Sequence, residues 1–187
     1  MKPLLTSAIL IALLLLNYQG SKPVNSNTVI LPDTALVGVV SLENPNPIEK
    51  IIAKYNWPLI DVVNSGWHPY MWLCNSDTTE FARLVFHEGN SKYQFSEIQV
   101  TSVKPKKYYP AHVAHFVTES GIQLGKQSAQ VITAKGKAHY KNGTTLHYNF
   151  GMDAPFVKLY NQAAYHAHYQ FDDNDRLVKF YFGFEYP

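Results

Sequence analysis

The strongest constraint on the fold is an alternation of apolar and polar side chains in two runs near the carboxyl end. The runs cover residues 164–171 and 177–184, and the turn-forming sequence Asp172-Asp173-Asn174-Asp175 separates them. Successive side chains of a strand point to opposite faces, so this pattern predicts an antiparallel hairpin with one buried face and one outward face. The buried face is predicted to hold Tyr165, Ala167, Tyr169, Val178, Phe180, Phe182 and Phe184. The outward face is predicted to hold His166, His168, Gln170, Lys179, Tyr181 and Gly183.

Further segments have the composition of strands and are separated by polar turns. They cover residues 35–40, 71–74, 81–86, 95–103 and 144–150. In the fourth of these, Ile98 and Val100 share one face and Gln99 lies on the other, as in a half-buried antiparallel strand. The dipeptide Asn142-Gly143 is a strong signal for a two-residue hairpin turn before the last segment.

Two short helices are predicted between the strands. Asn46-Pro47 has the residues of a helix start, and residues 47–55 place Ile48, Ile51, Ile52 and Tyr55 on one face. Ser128 is a favourable N-cap for a second helix over residues 129–135, which Gly136 ends. We therefore predict an α+β fold in which two short helices pack on an antiparallel meander. It forms either one merged sheet or a tandem pseudo-repeat of a helix and three strands, with halves 35–110 and 111–187.

The amino-terminal residues have the pattern of a secretory signal. Met1-Lys2 supplies a positive charge, and residues 4–16 are almost uniformly apolar, which is short for a membrane span. We predict a signal peptide over residues 1–20, a linker over 21–34 and a folded region over 35–187. Tyr18 is larger than the residue preferred three positions before a cleavage site, so an uncleaved anchor is the alternative. The expected location is periplasmic or extracellular, with membrane contact only through such an anchor.

Composition and charge narrow the classes of function. Hydrophobic residues make up 46% of the chain and charged residues 16%, and the net charge is only +2. This charge is far from the basic footprint of a nucleic-acid-binding protein, so no nucleic-acid partner is expected. Cys74 is the single cysteine, which excludes an intramolecular disulfide and leaves packing to hold the fold. We expect Cys74 to be a buried, inert thiol.

One segment and one hairpin in the second half resemble small exported bacterial α/β modules. The segment is Thr118-x-x-Gly121-Ile122-x-Leu124-Gly125-x-x-Ser128-x-x-Val131-x-x-x-x-Gly136, and the hairpin is Tyr169-x-Phe171-Asp172-Asp173-x-x-x-Leu177-x-x-Phe180. These modules include outer-membrane assembly lipoproteins of the small-protein-A type and the β-lactamase-inhibitor-protein fold. The resemblance covers about residues 118–182 and implies a short helix on a meander sheet in an exported module that binds other proteins.

The chain departs from both groups in ways that bear on activity. The lipoproteins carry a lipidated cysteine after the leader, and no cysteine stands there. The inhibitor proteins depend on disulfides within their repeats, which a chain with one cysteine cannot form. The resemblance therefore carries no functional residue over to this sequence.

The histidines are the residues from which a metal site would have to be built. His166 and His168 point the same way on a strand, and His147 lies on the strand predicted after the Asn142-Gly143 turn. These three are the candidate metal ligands. A zinc site needs three or four ligands, and the spacings specify only pairs. We therefore expect neither a metal nor another cofactor, and no pattern of residues identifies a catalytic group.

The outward surface predicted for the carboxyl-terminal half is rich in tyrosine and histidine. Such a surface is suited to a contact with another protein or a glycan. The binding residues that we predict are His166, His168, Tyr181 and Tyr148. We expect an exported envelope protein that binds another protein and is not an enzyme. The alternative is an enzyme or metal-dependent protein that uses the histidine-rich sheet face, in which case histidines would converge with a carboxylate in a cleft.

Overall fold

The computed structural model describes residues 32–42, 70–86 and 95–185, and most of them belong to β-structure. The strands are β1 (Ala35–Leu36), β2 (Val40–Ser41), β3 (Tyr70–Cys74), β4 (Phe81–Phe86), β5 (Phe95–Thr101), β6 (Tyr109–Pro110), β7 (Tyr140–Asn142), β8 (Thr145–Gly151), β9 (Ala164–Phe171) and β10 (Leu177–Glu185). The helices in the described ranges are α1 (Ser128–Lys135) and α2 (Pro155–Leu159). The predicted leader and the predicted helix over 47–55 lie outside the described residues.

Eight of the strands form one sheet in the order β6-β3-β4-β5-β10-β9-β8-β7, and β1 pairs with β2 in a separate hairpin. All neighbours in the large sheet are antiparallel except β3 and β6. The two predicted halves meet where β10 pairs with β5. At this seam Gly183 is required for space, because a Cβ atom there would lie 2.6 Å from the carbonyl oxygen of Ser96. The strands thus form one merged sheet.

The predicted α+β class, with two helices packed on a meander, is wrong. The described chain is mostly β, and its helices have only eight and five residues. The predicted repeat of a helix and three strands is not seen either. In the second half α1 is followed by four strands, and α2 lies between the second and the third. Backbone pairing in a continuous eight-stranded sheet, rather than helix packing, organises this fold.

The predicted strands and turns agree more closely with the structure. The hairpin at Asn142-Gly143 is confirmed, with Asn142 paired to Thr145. The predicted strand over 35–40 is instead a tight hairpin, because Gly38 adopts a φ of 71° between β1 and β2. A β-bulge between Leu177 and Lys179 also shifts the start of β10, so Leu177 is buried and Val178 is not.

At the start of helix α1, one backbone N–H group donates to a side chain nearby in the sequence and another donates to a distant one. The N-cap is Gln127 rather than the predicted Ser128, and the backbone N–H of Gln127 donates to the side-chain oxygen of Gln130 at 2.9 Å. The backbone N–H of Ser128 donates to Asp175 in the β9–β10 turn at 3.2 Å. An acceptor from a distant turn therefore satisfies a donor in the first helical turn.

The core lies against one side of the sheet, which we call the inner face. Its sheet residues include Leu84, Ile98, Tyr169, Phe180 and Phe182, all fully buried. Side chains from β1, β2, the two helices and the segment before α1 belong to the same hydrophobic cluster: Leu36, Val40, Phe116, Ile122, Val131 and Val157. The other side of the sheet, called the outer face, carries alternate residues such as Arg83, Gln99, Tyr181, His168 and His147.

Within the part of the chain that the structure describes, no helix has the length and apolar character needed to cross a membrane.

Candidate functional site on the outer sheet face

Four aromatic or imidazole rings stand side by side on the outer face, each on a different strand. Strand register pairs Tyr140 with His147, His147 with His168, and His168 with Tyr181. The successive ring centroids are 4.3, 4.4 and 5.2 Å apart. Tyr140 stacks almost parallel on His147, whereas His147 and His168 meet at 60°. We call these four residues the ring row.

Local turn chemistry sets the register that builds the ring row. The Asn142-Gly143 turn fixes β7 against β8, with Gly143 at a φ of 55°. In the β9–β10 turn, the side chain of Asp172 accepts hydrogen bonds from the backbone N–H groups of Asn174 and Arg176 at 3.0 and 2.8 Å. A shift of one residue in either hairpin would move the rings to the inner face.

His166 lies beside the ring row, two residues along β9 from His168. Its Nδ1 is 3.3 Å from Oδ1 of Asn149, and its Nε2 is 2.9 Å from Oε1 of Glu185. The ring centroids of His166 and His168 are 6.3 Å apart. His166 therefore continues the imidazole surface. Asn149 engages its Nδ1, whereas its Nε2 lies close to Glu185 without forming a hydrogen bond.

A cavity of about 300 Å³ opens on the outer face next to the ring row. Its lining residues come from four strands and are Gln99, Thr145, His147, His168, Gln170, Lys179 and Tyr181. All seven side chains are polar or amphipathic. The one charged side chain in this lining is Lys179, and no carboxylate lines the cavity.

The surroundings of the two cavity histidines keep them neutral. Burial, together with charge repulsion from His147, His166 and Lys179, lowers the pKa of His168 from 6.5 to about 4. Burial also lowers the pKa of His147. Burial, together with a hydrogen bond to Glu97 and the charges of Glu97 and Glu185, raises the pKa of Tyr181. At neutral pH the cavity thus presents two neutral imidazoles and a protonated phenol.

Three shielded nitrogen atoms of the outer face make no hydrogen bond within the described residues: Nε of Arg83, Nδ1 of His147 and Nε2 of His166. Lys179 is partly buried, and its ammonium forms no ion pair with a described carboxylate. Buried polar groups are normally hydrogen-bonded, so each exception calls for a ligand, a solvent molecule or a function to account for it.

Three of the four predicted binding residues come together here, and the fourth does not. His166, His168 and Tyr181 lie on the outer face, as the alternation predicted. Tyr148 points to the inner face, where it is buried and its hydroxyl donates to the carbonyl of Gly136 at 2.8 Å. Tyr148 directly follows His147 on β8, and adjacent residues of a strand face opposite ways.

The candidate metal ligands His147, His166 and His168 lie next to one another without forming a ligand set. Over residues 32–42, 70–86 and 95–185, no group of three or more His, Cys, Asp or Glu side chains is arranged to hold a metal ion. Cys74 is buried, and burial raises the pKa of its thiol.

Sequence reasoning missed a polar network on the inner face. Oδ2 of Asp33 lies 3.1 Å from the ammonium of Lys135 and accepts a hydrogen bond from the hydroxyl of Tyr169 at 2.8 Å. Its Oδ1 accepts one from Ser120 at 2.6 Å, and its backbone carbonyl accepts one from Tyr165 at 2.6 Å. We call these five residues the Asp33 network. Asp33 belongs to the predicted linker, and no local pattern marks it as buried.

The Asp33 network is closed to solvent. Asp33 is fully buried, and the side chain of Lys135 is 1% exposed. Burial lowers the pKa of Lys135, and the charge of Asp33 opposes that shift. Burial and the charge of Asp33 raise the pKa values of Tyr165 and Tyr169. The network joins the segment before β1 to α1 and β9, and no substrate could reach it in this conformation.

Comparisons of the chain with protein-family models, with curated proteins and with solved structures found no match.

Proposed function

We propose that this chain is an exported, non-enzymatic binding protein that uses its outer sheet face to hold another protein. The observation that carries the proposal is the ring row itself, which lies partly exposed beside a cavity. The one lysine of that cavity, Lys179, forms no ion pair with a described carboxylate. A protein partner could supply an acceptor to Lys179 and cover the partly exposed rings, which are favourable contact residues at interfaces.

The arrangement of the histidines favours binding over catalysis. They lie in a row along the sheet instead of converging, and the cavity lining contains no carboxylate to form an acid–base pair with them. His166 does contact Glu185, but this pair lies beside the cavity, where Asn149 also holds the ring. The proposal of export rests on the signal-like residues 1–20, with anchoring through an uncleaved leader as its variant.

Site-specific crosslinking tests the proposed face. Tyr140 ends the ring row and is 50% exposed, so p-benzoylphenylalanine can replace it. The matched control carries the same group at Leu159 on α2, which is 80% exposed. In cells that produce the protein, we expect a discrete adduct from position 140 and none from position 159. Adducts of equal yield from both positions would contradict a specific outer-face contact.

A second measurement shows whether the captured protein depends on the ring row. The adduct at position 140 should disappear when Tyr181→Ala and His168→Ala are added, because both side chains line the cavity. It should persist when Lys141→Ala is added, because Lys141 is exposed on β7 and does not line the cavity. Retention of the adduct in the Tyr181/His168 variant would overturn the proposal.

A further inference from the structure

The charge of the cavity indicates what kind of group it accepts. Lys179 is the one charged residue in the lining, and it has no carboxylate partner among the described residues. The nearby acidic side chains are engaged elsewhere, because Glu97 hydrogen-bonds Tyr181 and Glu185 contacts His166. Since no described carboxylate pairs with the Lys179 ammonium, an incoming anion would form a charge-assisted hydrogen bond there without displacing such a counter-charge.

The remaining lining groups are hydrogen-bond donors suited to an oxyanion. A neutral imidazole retains one N–H, so His147 and His168 each supply a donor, and the amides of Gln99 and Gln170 supply more. With one ammonium in the cavity, a singly charged group is matched in charge, whereas a dianion would carry a charge in excess. A carboxylate accepts several hydrogen bonds and forms a charge-assisted one with an ammonium.

We propose that this cavity binds a carboxylate that an acidic side chain of the protein partner supplies. The inference rests on the proposed function. The ring row favours a polypeptide over a free small acid as the source, because it continues away from the cavity to Tyr140 on the edge strand β7. Three strand spacings correspond to about 14 Å. An extended acidic segment could place one carboxylate beside Lys179 and cover the rings with its remaining residues.

Binding of a carboxylate has a consequence for protonation. The titratable or charged groups around His168 are His147 on β8, His166 on β9, and Lys179 and Tyr181 on β10, with Glu97 on β5 touching Tyr181. In the free protein, burial, the neighbouring histidines and Lys179 oppose protonation of His168. An anion in the cavity favours the imidazolium, so binding takes up protons and tightens as the pH falls toward 5.

The test uses the purified protein and defined peptides. The probe is a ten-residue peptide of alternating Ser and Asp, and the uncharged control peptide has Asn in place of each Asp. Histidine resonances followed by NMR report binding. We expect the Asp peptide to shift the signals of His147 and His168 and its Kd to fall about fivefold between pH 7.5 and pH 6. Equal binding of the Asn peptide, or no binding of the Asp peptide, would overturn the inference.

Three lysine variants test whether the charge of Lys179 is responsible for binding the Asp peptide. Lys179→Met should weaken binding of the Asp peptide more than about tenfold, and Lys179→Arg should restore most of it. Lys141→Met, at an exposed position of β7, should bind like the wild type. Thermal unfolding of each variant verifies folding. Wild-type affinity in Lys179→Met would overturn the assignment of the cavity.

Two further experiments make two distinctions. The first distinguishes a peptide carboxylate from a free small acid, and the second distinguishes the carboxylate inference from the proposed function. Sodium acetate should shift the same resonances only at concentrations far above those of the peptide, and equal affinity would indicate a site for small acids instead. If Lys179→Met still forms the adduct at position 140, the protein-binding role is supported and the carboxylate inference is overturned. If peptide binding depends on Lys179 but position 140 forms no adduct, the carboxylate inference is supported and the protein-binding role is overturned.

Discussion

The two faces of the large sheet differ in how completely their polar groups are hydrogen-bonded. On the inner face the hydroxyls of Tyr148, Tyr165 and Tyr169 all donate to acceptors of the same chain at 2.6–2.8 Å. On the outer face Nε of Arg83, Nδ1 of His147 and Nε2 of His166 are shielded yet make no hydrogen bond with a described residue. Lys179 has no described carboxylate partner there. Both faces are rich in tyrosine or histidine, so composition alone does not distinguish them.

The difference indicates which face serves stability and which is left for a partner. A fully satisfied polar network fixes one arrangement of a core, because breaking any member leaves an unpaired buried group. A partly satisfied surface costs free energy in the isolated protein, and a ligand that completes it recovers that cost. The predictions below test this contrast from the largest expected effect to the smallest.

Removing the buried cation should have the largest effect. Lys135→Met leaves the carboxylate of Asp33 buried without its ion-pair partner, and we expect a loss of about 3–5 kcal/mol in the free energy of unfolding. Urea denaturation measures it. Adding Asp33→Asn should recover part of the loss, because the neutral amide needs no counter-charge. The exposed pair of Lys158 and Asp153 provides the control, and Lys158→Met should cost less than about 1 kcal/mol.

The seam between β5 and β10 should tolerate no added atom. Gly183→Ala places a Cβ 2.6 Å from the carbonyl oxygen of Ser96, so the strands must separate, at a cost of about 1–3 kcal/mol. Gly151→Ala is the matched control, because no atom lies within 4 Å of the added group. Equal unfolding midpoints in urea for the two variants would contradict the close pairing of the halves.

Removing one tyrosine hydroxyl should lower the free energy of unfolding on the inner face but not on the outer face. Tyr165→Phe removes the donor to the backbone carbonyl of Asp33 and should cost about 1–2 kcal/mol. Tyr140→Phe on the ring row keeps the stacking on His147, and its change should lie within about 0.5 kcal/mol. If both variants lost the same stability, the contrast between the faces would fail.

The smallest effect should appear in the pH dependence of stability. Between pH 6.5 and about 4 the unfolded chain binds more protons at His168 than the folded protein does, because the folded pKa is lowered to about 4. The contribution of His168 to the free energy of unfolding therefore falls as the pH drops through this window. His168→Gln should flatten the slope, measured by urea midpoints at pH 7 and pH 4.5.

His115 provides the control for this slope, because its shift has the opposite sign. Its Nδ1 lies 2.8 Å from Oε1 of Glu80, and that contact raises the pKa of His115. The stabilisation from His115 is therefore fully present below pH 6.5 and is lost as the pH rises through the folded pKa. His115→Gln should leave the slope between pH 6.5 and pH 4 in place. A slope that disappears in this variant and persists in His168→Gln would refute the role of His168.

Much of the outer face could be predicted from the sequence, because a strand reverses its side chains at every residue. The alternation in residues 164–171 and 177–184 assigned His166, His168 and Tyr181 to one face correctly. The cavity could not be predicted, because its lining combines β5, β8, β9 and β10, and their order depends on long-range pairing. Tyr148 illustrates the limit: a tyrosine beside a histidine on one strand must lie on the opposite face.

The sequence by itself determined the hairpins, the two-faced character of the strands and the single buried cysteine, because turn residues and side-chain periodicity act over a few positions. Only the tertiary structure decided that β5 pairs with β10, that Asp33 of the predicted linker enters the core, and that Lys179 lines the cavity without a counter-charge among the described residues. The β5–β10 pairs join residues 78 to 86 positions apart, and Asp33 contacts residues 87 to 136 positions away. Their free energy comes from desolvation and pairing, which no short segment of the chain contains.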